Sequence, residues 1–154
     1  MCREGLSTGM SRMLSLHIWI VAALIPVLDR LLTLERTLRL LTPRRPRRSY
    51  RGVAPEAISA LVARRLERAR HMRRRACLRR SLVLYHFLRL AGIDAIFHVA
   101  VFPPSVDPKR LHAHSWITVG EACLCEPPKG NAVEILTYGT AANVGGCREE
   151  WAAV

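Results

Sequence analysis

Aromatic side chains are scarce, with three Trp, three Tyr and three Phe in 154 residues. A core must therefore be built from Leu, Val, Ile and Ala, and with half of the residues hydrophobic there is enough material for one. The chain is too short for two full domains, and it contains no internal repeat. Lysine is nearly absent, since 22 of the 24 basic residues are Arg. An uninterrupted membrane span is also missing. Residues 13–28, MLSLHIWIVAALIPVL, fall short of the ~20 apolar residues that a bilayer requires, and they include His17 and Pro26. Arg3 and Arg12 in front imitate a signal peptide, but no small-x-small cleavage pattern follows and leucine patterning continues to Leu41. The run reads as a buried or surface-lying helix. The five cysteines, Cys2, Cys77, Cys123, Cys125 and Cys147, are odd in number and show no regular framework, which favours a reduced cytoplasmic protein.

Charge is abundant and unevenly placed. Residues 1–92 carry 20 Arg against 5 acids, whereas residues 93–154 carry 4 basic residues against 7 acids. A basic segment of this size suits an anionic partner such as nucleic acid, a lipid surface or an acidic peptide. It equally suits solvated helix faces in an arginine-rich proteome. The arginines are not interleaved with aromatics and no recognition motif accompanies them, so nucleic acid is not the expected partner.

The periodicity predicts an α+β fold. Residues 13–41 are helical, with Pro26 kinking or dividing the helix. Residues 42–52, TPRRPRRSYRG, form a linker without a packed element. The boundary falls there, giving a leucine- and arginine-rich N-terminal segment (1–52) and a core (53–154). A second helix opens at Pro55, with Ile58, Leu61, Val62 and Leu66 at helical spacing, and a third covers 76–91 and ends at Gly92. Strands follow at 95–102, 113–119, 122–126 and 132–138, with a hairpin turn at Gly120-Glu121.

Two residues carry the chemistry. Cys77 opens a helix that soon becomes strongly apolar, and the positive end of the helix dipole stabilises a thiolate there. The bland alternative is a small cysteine filling a core gap. His114 lies on a later strand, and a thiolate nucleophile needs such a base to take its proton and return it to the leaving amine. Trp116 shares the strand face of His114 and could shield its imidazole. A third, orienting acid is Glu126 or Glu121, or is absent. Glu121 sits at a turn tip. Glu126 is at the end of the returning strand, but a two-residue turn pairs it with Ser115 and aims it away from His114, whereas a bulge or a three-residue loop would bring it round. His112 lies beside the motif without an assigned role. His17, His71, His86 and His98 read as interior or surface residues of their elements.

The stretch CLRRSLVLYHFLRLAGIDAIFHVAVF, followed by AHSWITVGEACLCE, resembles the transglutaminase-like core of the lasso peptide maturation B proteins, the leader peptidases. The resemblance rests on Cys77, Leu78, Arg80, Ser81, Leu82 and Leu84, then Gly92, Ile93 and Ala95, then Ala113, His114 and Trp116, and spans about residues 74–128. It implies a papain-like core of one helix packed on a small antiparallel sheet, with Cys77 as nucleophile, His114 as base and Glu126 where the family usually has Asp. The implied activity is removal of the leader from a ribosomally made precursor peptide. The implied partners are a separate leader-recognition protein and an asparagine-synthetase-like macrolactam cyclase, because the chain has no room for a fused recognition module. No cofactor and no metal are expected. The protein is expected in the cytoplasm, with peripheral membrane contact through residues 13–41 left open.

Two other readings compete. His112, His114, Cys123 and Cys125 offer four metal ligands, although Cys123 and Cys125 lack the two-residue knuckle spacing of usual zinc sites. The arginine clusters at 44–51 and 64–80 would suit a non-catalytic basic adaptor.

Overall fold

In the computed structural model the described residues are 8–67, 76–102, 113–125 and 130–139. Four helices and a four-stranded antiparallel sheet form an α+β fold. Helix α1 runs from Thr8 to Leu31 and α2 from Leu34 to Leu41. The break between them is at Leu32–Thr33 and not at Pro26, which is carried inside α1. Proline costs one backbone hydrogen bond there, and the buried neighbours Ala22 and Ile25 hold the helix on course. Thr33 instead turns extended (φ −68°, ψ 155°), and its carbonyl accepts the amide of Thr37 to start α2.

The arginine-rich linker is better anchored than its composition suggests. A 3₁₀ turn covers Arg48–Tyr50, and Tyr50 is 2% exposed. Its hydroxyl meets His17 Nδ1 at 2.9 Å, and its ring lies edge-on to Phe87. The amide of Arg47 also donates to the carbonyl of Leu90 at 2.8 Å. Tyr50 is one of few aromatics, and burying it secures the crossing.

Helix α3 spans Pro55–Glu67 and buries Ile58, Val62 and Leu66, spaced four apart on one stripe. Helix α4, Ala76–Ala91, is the central element. It packs on α1 and α3 on one side and on the sheet on the other, so its residues from Ser81 onward are almost all buried. Leu84 and Leu88 are fully enclosed, and each such burial is worth about 1.5–3 kcal/mol. The helix ends where Gly92 takes φ 82°, with the Ile93 amide reaching back to the carbonyl of Leu88 at 3.0 Å.

The strands are β1 (Ala95–Val101), β2 (Ala113–Val119), β3 (Ala122–Cys123) and β4 (Val133–Tyr138), in the order β3-β2-β1-β4. β1 pairs with β2 through His98↔Trp116 and Ala100↔His114, and with β4 on its other edge. The turn between β2 and β3 has two residues, Gly120 and Glu121, and pairs Thr118 with Cys123. β3 is shorter than the 122–126 expected. After Cys123 the chain bends inward, the carbonyl of Leu124 accepts Ser59 Oγ at 3.3 Å, and Leu124 and Cys125 pack against the helical layer.

Candidate active site

Cys77 is the second residue of α4, within the first turn, whose backbone amides have no partner in the helix itself. The thiol is half-buried, and its Sγ lies 3.9 Å from the carbonyl oxygen of Ala113, the residue before His114. One helical turn later, Ser81 Oγ donates to the carbonyl of Ser115 at 2.9 Å in a fully buried contact. These two contacts fasten the start of the cysteine-bearing helix to the start of the histidine-bearing strand.

Cys77 and His114 line one pocket of about 480 Å³. Leu78, Leu82 and Val99 form its apolar floor, and Ala113 and Ser115 flank His114. Register and alternation put His114, Trp116 and Thr118 on one face of β2 and Ser115 and Ile117 on the other. Phe97, Val99 and Ile117 pack in the core with α4, so the face of β2 that carries His114 is turned away from that helix. His114 is half-buried and borders the pocket at the start of the strand, beside exposed Ala113. Trp116 shares the face of His114, as their spacing predicts, but its ring stacks on His98 at 5.0 Å and 7°. His98 in turn meets Glu134 Oε1 at 2.7 Å through Nδ1 and Thr118 Oγ1 at 2.9 Å through Nε2. It is a satisfied interior histidine that braces the sheet. His86 is likewise interior, with Nδ1 2.7 Å from the Leu41 carbonyl; His71 lies outside the described residues.

The opposite wall was not foreseen. Asp29 from the last turn of α1 and Leu32 from the break after it, with Leu34 and Thr37 from α2, close the pocket. Asp29 reaches Arg79 of α4 at 3.7 Å, an ion pair with both side chains largely shielded from water. The available signal was that Asp29 is the lone acid in the leucine-rich stretch between Glu4 and Glu35. Asp29 and Cys77 are 48 residues apart, and only the docking of α1 on α4 brings them to one cavity.

Glu121 occupies the hairpin tip and is exposed. Glu126 and His112 lie outside the described residues. Cys125 sits behind the pocket. Burial pushes its thiol upward in pKa, while Arg80 and a hydrogen bond with Ser81 act in the opposite direction. Cys123 Sγ donates to the Cys125 carbonyl at 2.8 Å. Among the described residues no three His, Cys, Asp or Glu side chains converge as a metal site.

Chemically, the arrangement offers a thiol at a helix N-terminus, an imidazole on the neighbouring strand and an apolar cavity large enough for peptide side chains. No curated protein and no solved structure matches the chain significantly. The profile of the transglutaminase-like superfamily matches residues 21–136, which takes in α2, both pocket walls, β1 to β3 and most of β4. The chain belongs to the transglutaminase-like superfamily, a papain-like cysteine peptidase superfamily.

Proposed function

We propose that the protein is a cysteine peptidase that removes the leader from a ribosomally made lasso peptide precursor. The observation that supports this reading is that Cys77 and His114 both line one pocket, at the two positions where the sequence resembles the maturation B proteins. In this proposal Cys77 Sγ attacks the carbonyl carbon of the last leader residue. The oxyanion that forms takes a hydrogen bond from the backbone amide of Cys77, in the first turn of α4. His114 accepts the thiol proton and passes it to the nitrogen of the departing core peptide as the C–N bond breaks. Water, deprotonated by His114, then cleaves the thioester, releasing the leader as a carboxylic acid and restoring the thiol. Glu126 is the proposed orienting acid.

The apolar floor and the Asp29 wall favour an extended peptide with small or aliphatic side chains before the scissile bond. A leader-recognition protein would present the precursor, and a macrolactam cyclase would consume the freed amine, all in the cytoplasm. The test is mass spectrometry of a candidate precursor incubated with the protein and its recognition partner. Wild type releases the leader at one bond. Cys77→Ala and His114→Ala lower the rate by at least about a thousand-fold while precursor binding persists. Cleavage by Cys77→Ala at the wild-type rate refutes the assignment.

A further inference from the structure

Helix α1 has two apolar faces. Ile18, Val21, Ala22 and Ile25 are buried against the rest of the protein, whereas Leu16, Trp19, Ile20, Leu24, Val27 and Leu31 are 44–74% exposed. At 100° per residue the exposed set falls within an arc of about 140°. Residues 13–28 contain no charged side chain, and Arg12 and Arg30, both exposed, lie at the same angle within the arc, before and after that uncharged run. An apolar strip about 23 Å long is unusual on a protein surface and marks an interaction site.

What surrounds the strip says what covers it. His17 borders the arc, and its Nδ1 lies 2.9 Å from the Tyr50 hydroxyl. Tyr50 belongs to the linker, so the linker runs beside the strip, and Arg44, Arg45, Arg48 and Arg51 of the same segment are all exposed. Helix α2 adds exposed Arg36 and Arg39 beside Leu40, which is 64% exposed. An apolar face with a tryptophan at its edge and a rim of arginines matches the layering of an anionic bilayer. Acyl chains take the leucines, the interface takes the indole, and lipid phosphates take the guanidinium groups.

We propose that this face of α1, with the arginines of the 44–51 linker, docks the protein on an anionic lipid bilayer with the helix lying in the membrane plane. By length and composition α1 could also cross a membrane. Crossing would strip Ile18 and Ile25, both fully buried, out of the core and dismantle the pocket wall at Asp29 and Leu32. The in-plane position keeps both. The proposal is independent of the peptidase reading and concerns a different surface.

The test is co-sedimentation of the full chain with vesicles of phosphatidylcholine alone or mixed with phosphatidylglycerol. Binding is expected on the anionic vesicles, weaker on the neutral ones, and reduced by salt. Trp19 emission should shift to the blue on binding, and Trp19→Phe should remove that shift. Ile20→Glu with Leu24→Glu, both at exposed positions, should abolish binding with the circular dichroism spectrum unchanged. Replacing Arg44, Arg45, Arg48 and Arg51 by Gln should lower the partition coefficient by about five-fold per arginine. Three results would overturn the proposal: no binding to anionic vesicles, binding that survives the Glu substitutions, or a stable dimer that those substitutions dissolve, which would make the strip a self-association face.

Discussion

Ser81→Ala tests whether the peptidase geometry is held by one buried hydroxyl. Ser81 is 1% exposed, and its Oγ donates to the carbonyl of Ser115 at 2.9 Å, four residues along α4 from Cys77 and one residue along β2 from His114. Alanine leaves a void of only one oxygen, so packing loss is small and the hydrogen bond dominates. A net hydrogen bond contributes about 0.5–1.5 kcal/mol, and stranding its partner in a dry site adds to this, so the expected loss is about 1–2 kcal/mol. Urea unfolding should show a lower midpoint with an unchanged slope. The larger effect should be on chemistry. With the clamp gone the start of α4 can drift from β2, and a displacement of order 1 Å at a reacting pair costs up to about a hundred-fold. Leader release should therefore slow in kcat by about ten- to a hundred-fold with little change in KM. A destabilised variant with wild-type kcat would show that the bond holds the fold and not the site. Unchanged stability and kcat together would refute the clamp altogether.

Two further predictions concern stability. His17 and His86 both have pKa values pushed below the ordinary 6.5, chiefly by burial, so the folded state favours their neutral forms. Below about pH 6.5 the unfolded chain binds these protons first, so stability is full above that value and falls as pH drops through it. The urea midpoint should decrease from neutral pH to about pH 5.5, and His86→Gln should flatten that slope; a flat wild-type profile would contradict the assignment. Gly139 has φ 134°, and a Cβ there would stand 2.7 Å from the carbonyl oxygen of Ala95. Gly139→Ala should destabilise the β1–β4 pairing by about 1–3 kcal/mol, read as a lower melting temperature.

Much of this protein was legible from local pattern. Helix α4 and the Gly92 stop agree with the sequence because a long apolar stripe and a C-terminal glycine are local signals. The Gly120-Glu121 hairpin was legible for the same reason, and so was the placement of Cys77 at the start of α4 and of His114 at the start of β2. What escaped was non-local. Nothing in residues 42–52 announces that Tyr50 is buried on His17 and Phe87, because the arginines around it dominate the composition. The shortening of β3 at Cys123 follows from Leu124 turning to Ser59, 65 residues earlier in the chain. The contribution of Asp29 and Thr37 to the pocket depends on how α1 and α2 dock, which helical periodicity does not encode. The pairing of His98 with Glu134, like its stacking on Trp116, required the strand order β2-β1-β4.

The central claim is that Cys77 is the nucleophile, and stoichiometric thiol alkylation followed by intact and peptide mass spectrometry tests it most directly. Cys77 and Cys125 are both half-buried, but Cys77 lines the pocket, and burial pushes the pKa of the Cys125 thiol upward, which disfavours its thiolate. A limiting electrophile should therefore place one adduct on Cys77, and leader release should fall in proportion to the fraction of Cys77 modified. Full cleavage by protein carrying one adduct on Cys77, or loss of cleavage that tracks adducts on Cys123 or Cys125 instead, would contradict the account.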